Sequence, residues 1–182
     1  MSAFAVLAAL ALVLANGLFV AAEFSMVASQ RPKLELLSGG RERRSAAALA
    51  VMRDLPRHLA GCQLGVTVCS LGLGVLGEPA VADLLHPALD ATGASSGVSH
   101  GVAFGLALAI VVTLHMVLGE MVPKGVALAG PERALLLLAP ISRGFTSVFG
   151  PLIWSLDRMS SLLVRAFGLT PKHELAGAVT AA

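Results

Sequence analysis

Hydrophobic and polar positions along this chain fall into long blocks, not into the short alternations of a half-buried strand or surface helix. Ala3–Ala22 carries no Asp, Glu, Lys or Arg, and about twenty helical residues cross the roughly 30 Å of bilayer hydrocarbon. A glycine-rich apolar stretch covers Leu59–Leu76, and a third block, Val102–Leu118, is again free of those four residue types. The pattern predicts membrane-spanning helices over residues 3–25, 58–78 and 101–124. A fourth apolar stretch, Ala134–Leu156, is broken by Pro140, Arg143 and the Gly150–Pro151 pair. It is predicted, like residues 30–52, to lie along the membrane surface, giving amphipathic helices over 131–168. The expected fold is an all-α integral membrane protein, with three transmembrane helices plus amphipathic helices at the cytoplasmic interface. Residues 1–170 form its membrane domain and 171–182 an Ala-rich tail.

Composition agrees with this reading. The chain is 56% hydrophobic and 13% charged, without tyrosine, whereas soluble domains carry about 25% charged residues. The net charge of +2 says less than where the charges lie. Seven of the 13 Lys and Arg lie between Arg31 and Arg57, and the other six lie from Lys124 onward. The segment joining spans two and three carries Glu78, Asp83 and Asp90 and is expected to be a loop. The positive-inside rule then places the N-terminus outside and the C-terminus in the cytoplasm. A fourth span would export Arg158, Arg165 and Lys172. The first block has no basic leader and exceeds the apolar core of a signal peptide, so it is expected to be a retained span. Cys62 and Cys69 share one face of a predicted helix, cannot bridge there, and are expected to be small buried residues.

The third block ends in "LGEMVPKGV", Leu118–Val126. In a helix Pro123 has no N–H for the carbonyl of Gly119, and its ring pushes that carbonyl aside. Glu120 adds a carboxylate beside it. Two such oxygens suit a hard cation such as Mg²⁺. The plainer alternative is a helix end, with proline as the stop and Lys124 as an interface anchor. With the N-terminus outside, Glu23, Gln63, Thr67 and Glu120 all fall near the cytoplasmic ends of their spans. Ionisable groups at membrane depth are costly and usually face a partner or cavity, so a polar pocket open to the cytoplasm is expected. Asn16, Thr113 and His115 are assigned to interhelical packing, with proton coupling as the sharper option for His115. At 100° per residue, His115 and Glu120 are about 140° apart on an α-helix and do not share a face. Gly61 and Gly65 permit close helix contact, within the chain or across a dimer.

Three blocks carry a family resemblance: "NGLFVAAEFSMVASQR" (Asn16–Arg31), "CQLGVTVCSLGLGVLGEPAVADLL" (Cys62–Leu85) and "HMVLGEMVPKGVALAGPERA" (His115–Ala134). They resemble the transmembrane domain of the cyclin M / CorC family, whose bacterial members are labelled hemolysin-related. The resemblance implies a homodimeric Mg²⁺ transporter in the plasma membrane, with three spans per subunit and an amphipathic cytoplasmic belt. It also implies an inward-facing acidic cavity in which the glutamate of Gly-Glu-x-x-Pro-Lys, here Glu120, contacts Mg²⁺. Exchange against Na⁺ is implied as well.

The chain departs from the family pattern in two places. A Phe-Ser-Gly block reads Phe19-Val20-Ala21 here, and a family asparagine is replaced in a stretch holding Gln63, Val66 and Thr67. Backbone carbonyls near Val20–Ala21, or Ser25, are the expected substitutes. The expected metal ligands are therefore Glu120, Gly119, Gln63, Thr67, Glu23 and Ser25. The family continues into cytoplasmic nucleotide-binding CBS domains, absent from this chain, and no Gly-rich phosphate loop occurs here. The partners expected are a second copy of the chain and the lipid bilayer, with no nucleic acid. Three function classes follow: a divalent-cation transporter, a cation-sensing or regulatory membrane subunit, and a dimeric membrane anchor. No nucleophile–base pair or His/Cys metal set suggests an enzyme.

Overall fold

The protein is described by a computed structural model covering residues 3–37, 42–91 and 96–167. The expected tail over 171–182, and residues 38–41 of the predicted interfacial stretch, lie outside the described residues. Every element is helical: α1 (Ala3–Ala28), α2 (Arg31–Leu37), α3 (Glu42–Arg53), α4 (Leu55–Asp90), α5 (Ser96–Leu114), a π-helical turn (His115–Met121), α6 (Val122–Ala129), α7 (Pro131–Val148) and α8 (Gly150–Ala166). Among the described residues there is no strand. Among the described residues, three helices are long and apolar enough to cross a membrane: Phe4–Ala28, Leu55–Leu89 and Ser96–Ala129. The chain is an all-α, multi-pass integral membrane protein.

The helices exceed the apolar blocks. The segment expected as a loop with Glu78, Asp83 and Asp90 is instead the continuation of α4, which runs through Pro79 and Pro87 to Asp90. Each proline removes one backbone donor, but the surrounding residues still propagate the helix. Hydropathy registers where the apolar character stops, and α4 continues beyond that point.

The chain divides into two compact units, Met1–Val20 with Gly65–Gly125, and Ala21–Leu64 with Val126–Ala182. In the first, Val13 of α1, Leu73 of α4 and Val111 of α5 form a buried cluster, with Ala9, Leu12 and Val81 against it. The inward stripe of α5 is Ser99, Ala103, Ala107 and Val111 at four-residue spacing. Its large residues, including Phe104, Leu106, Leu108 and Ile110, are exposed. Small side chains inward and large apolar ones outward is the polarity of a helix packed in lipid, where close approach supplies the stabilising dispersion contacts.

In the second unit α3 and α2 pack on α7, and α7 on α8. Met26, Leu34, Val51 and Leu135 are fully buried there. Glu132, in the first turn of α7, is also buried and accepts the backbone N–H of Gln30 at 3.3 Å. A carboxylate at a helix N-terminus is favoured by the helix dipole. The two helices α7 and α8 meet at 77° around Phe149, so they make a fourth crossing only if the bent pair is taken as one broken span. Trp154 and Leu163 on α8 are exposed.

Gly65 and Gly61 are used inside the chain. A Cβ on Gly65 would lie 2.7 Å from the Phe19 ring, and one on Gly61 would lie 2.8 Å from Thr146 Oγ1. Gly101 and Gly105 of α5 have nothing within 4 Å of that position. Gly65→Ala is therefore expected to destabilise the protein by about 1–3 kcal/mol through overpacking. Gly105→Ala should leave it unchanged or up to about 1 kcal/mol more stable. Thermal unfolding followed by a thiol-reactive dye on the buried Cys62 and Cys69 checks this; equal melting temperatures for the two variants would refute the contact.

Candidate ion site at the π turn

The approach of α1 to the chain around Pro123 begins with a glycine. A Cβ on Gly17 would sit 2.9 Å from Pro123 Cγ and 3.5 Å from the Leu118 carbonyl oxygen. With no Cβ in the way, the α1 backbone comes close enough for the short side chain of Asn16 to reach across. Asn16 Nδ2 donates to the carbonyl oxygen of Gly119 at 2.9 Å, and Asn16 is fully buried. Gly119 O is the acceptor an α-helix would pair with the N–H that Pro123 lacks. One of its lone pairs is thus taken by α1.

The backbone adjusts as well. His115–Met121 is a π-helical turn, closed at its end by Val122 N–H donating to Val117 O, five residues back. A five-residue repeat brings positions i and i+5 onto one face. That corrects the sequence expectation that His115 and Glu120 point apart. His115 Nε2 lies 4.0 Å from Glu120 Oε1. The 140° separation holds for an α-helix, and this segment is not one.

Gly119 serves this arrangement too. A Cβ there would meet His115 Cδ2 at 2.8 Å and Asn16 Nδ2 at 3.2 Å, so the imidazole lies over bare backbone. Ser70 of α4 joins the network: its Oγ donates to Asn16 Oδ1 at 3.4 Å and lies 3.4 Å from His115 Nε2. One carboxylate, one imidazole, one amide, one hydroxyl and one carbonyl are therefore gathered from α1, α4 and the π turn. The side chain of Glu120 is 47% exposed and that of His115 17%. The carboxylate is reachable while the imidazole is held within the packing.

The other predicted ligands are placed as follows. Thr67 belongs to the first unit and is exposed on α4. Glu23, Ser25 and Gln63 belong to the second unit. Glu23 is half-buried, Gln63 is exposed, and Ser25 is buried with its hydroxyl donating to the Ala22 carbonyl at 2.8 Å. Among the described residues, no three His, Cys, Asp or Glu side chains are grouped to hold a metal. The second unit has a separate polar cluster: Ser142 Oγ and Thr146 Oγ1 lie 3.3 and 3.2 Å from Nδ1 of the buried His58.

Sequence reasoning assigned Asn16, His115 and Thr113 to interhelical packing, and Asn16 and His115 do make such bonds, to Gly119 and Ser70. Asn16 and His115 belong to the Glu120 site, whereas Thr113 is exposed. The adjacency of Asn16 to Gly17 was the available signal. Ser70 had none, because its role depends on which residues of α1 and the π turn face it. Asn16→Leu is expected to lower stability by about 1–2 kcal/mol, since it strands a buried carbonyl. Thr113→Val should have no measurable effect. Thermal unfolding of both variants in the same detergent tests the contrast, and similar losses would refute it.

Comparison with known proteins supplies the family context. Residues 7–181 match the family described as "Cyclin M transmembrane N-terminal domain". Uncharacterized protein Rv1841c of Mycobacterium tuberculosis (strain ATCC 25618 / H37Rv) is 44% identical over 181 residues, covering 98% of this chain and 50% of the relative. UPF0053 protein YhdT of Bacillus subtilis (strain 168) is 40% identical over 163 residues, covering 90% of this chain and 35% of that protein. UPF0053 protein sll0260 of Synechocystis sp. is 29% identical over 162 residues, covering 89% and 36%. The chain spans about half the length, or less, of these relatives.

Proposed function

The chain belongs to the cyclin M transmembrane family, and from that membership and the π-turn geometry we propose that it moves a divalent cation, Mg²⁺ above all, across the membrane by way of Glu120. One observation carries the reading. Glu120 is the sole Asp or Glu between Ser96 and Ala129, and the π turn brings its half-exposed carboxylate beside His115, which is linked in turn to Ser70 of α4 and through it to Asn16 of α1. A carboxylate at membrane depth is costly and marks ion pathways. Mg²⁺ takes oxygen ligands, is bound through one or two carboxylates and keeps several waters. A single Glu120 carboxylate fits a largely hydrated ion. The Gly119 carbonyl, which accepts from Asn16, is proposed as the second oxygen ligand. Thr67, Gln63, Glu23 and Ser25 stand as further oxygen donors to be tested singly.

The proposed direction is efflux from the cytoplasm across the plasma membrane, with inward Na⁺ movement as its driving partner. The working form is a homodimer in the lipid bilayer, joined to CBS-type cytoplasmic regions in the whole protein.

Glu120→Gln keeps size and removes one charge. It should weaken Mg²⁺ binding by roughly tenfold or more and abolish Mg²⁺ flux in liposomes, with the melting temperature unchanged. Calorimetry showing parent-like Mg²⁺ binding would leave Glu120 as a helix-end residue and favour the anchor reading. Binding without flux in the parent would favour a cation sensor.

Orientation is tested separately. Ser96 and Ala46 are exposed, while the native Cys62 and Cys69 are buried and give low background. A cysteine at position 96 should react with an impermeant maleimide on intact cells, and one at position 46 only after permeabilisation. The opposite pattern would invert the topology.

A further inference from the structure

The hydrogen bonds around the π turn have a fixed direction. A backbone carbonyl oxygen only accepts, so the Asn16 atom 2.9 Å from Gly119 O is the amide nitrogen, and the amide oxygen is left facing Ser70. That oxygen also only accepts, so Ser70 commits its single hydroxyl proton to it at 3.4 Å. Ser70 Oγ then offers only lone pairs to His115 Nε2, 3.4 Å away. Nε2 must therefore carry a hydrogen, whether the ring is neutral or protonated. The same nitrogen faces Glu120 Oε1 at 4.0 Å.

We infer that Asn16 and Ser70 are specificity-determining positioning residues. By locking a hydrogen on His115 Nε2, they withdraw the imidazole from the ligands available beside Glu120, leaving an oxygen-only site. The inference rests on the proposed cation role of Glu120 and deepens it by naming what the site rejects. A histidine ligates metal through an unprotonated ring nitrogen. Imidazole suits Zn²⁺, Ni²⁺ and Cu²⁺, and affinity for such sites rises along the first-row series through Co²⁺ and Ni²⁺. Mg²⁺ draws no comparable benefit from nitrogen. An imidazole with a free Nε2 next to a carboxylate would therefore favour transition metals over Mg²⁺. The relay from Gly119 O through Asn16 and Ser70 prevents that pairing without removing the histidine. Bare backbone at Gly119, over which the ring lies, keeps the imidazole in the position that Ser70 reads.

Two measurements on the full chain in detergent test this. The first is ¹⁵N NMR of histidine-labelled protein without metal, with the His115 signal assigned through His115→Gln. A hydrogen on Nε2 is expected; the Nδ1–H tautomer would overturn the inference. The second is titration with Co²⁺ and with Mg²⁺, following the Co²⁺ d–d bands. The parent should bind Co²⁺ weakly, with the pale spectrum of octahedral oxygen ligation. Ser70→Ala should gain about tenfold in Co²⁺ affinity, with intensified and shifted bands, while Mg²⁺ affinity changes by less than about threefold. Ser70→Thr should restore parent behaviour, and Ser70→Ala with His115→Gln should lose the gain. Nitrogen ligation already present in the parent, or an unchanged Co²⁺ spectrum in Ser70→Ala, would refute the selectivity role. If the parent binds neither ion although Nε2 carries hydrogen, the cation reading of Glu120 falls, and the selectivity role with it, while the relay stands.

Discussion

Pro123 cannot donate a backbone hydrogen bond, and in hydrocarbon no water can replace the missing donor. The structure of the first unit is an answer to that constraint. The helix shifts to a five-residue hydrogen-bond spacing over His115–Met121, and Asn16 supplies a donor to the carbonyl of Gly119. Both responses have consequences for chemistry. The shift rotates Glu120 to the side of His115, and the Asn16 bond ties the turn to α1. A proline that would break a helix in water here adjoins the turn in which the carboxylate of Glu120 acquires His115 as a polar neighbour.

That answer needs backbones in close approach, which explains the distribution of small residues. Gly17 admits Pro123, Gly119 admits the His115 ring and Gly65 admits Phe19. Ala103 and Ala107 line the inward side of α5. Transmembrane helices gain no hydrophobic free energy by meeting each other, since lipid tails are as apolar as their partners; packing and interhelical hydrogen bonds must suffice. Large residues are consequently spent on the outer surface, the reverse of a soluble core.

Three buried polar groups of the second unit are paired in a similar way. Buried Glu132 takes the Gln30 N–H, buried His58 meets two hydroxyls, and Ser25 returns its hydroxyl to its own helix. A buried polar group without a partner costs about 1–3 kcal/mol, so these pairings set the register of α7 against the chain around Gln30 and the start of α4. The 77° bend between α7 and α8 falls at Phe149–Gly150, where the Gly150–Pro151 pair interrupts the apolar stretch.

The sequence by itself determined the all-helical membrane class, the three spans and the carboxylate of interest. Hydropathy depends only on composition over a window, and Glu120 is conspicuous in an uncharged run. It also marked Pro123 as the source of an unpaired carbonyl. It did not reveal that α4 runs on to Asp90, because hydropathy falls before the helix ends, nor that Gly61 and Gly65 are filled from within the chain. Which face Glu120 takes was decided by the tertiary structure alone. A π turn and an α turn share one sequence pattern, and the choice depends on a donor from α1 that is 103 residues away along the chain. Ser70 and Asn16 acquire their roles in the same way: a serine or asparagine in an apolar helix is only a polar atom in need of a partner, and three-dimensional packing chooses the partner.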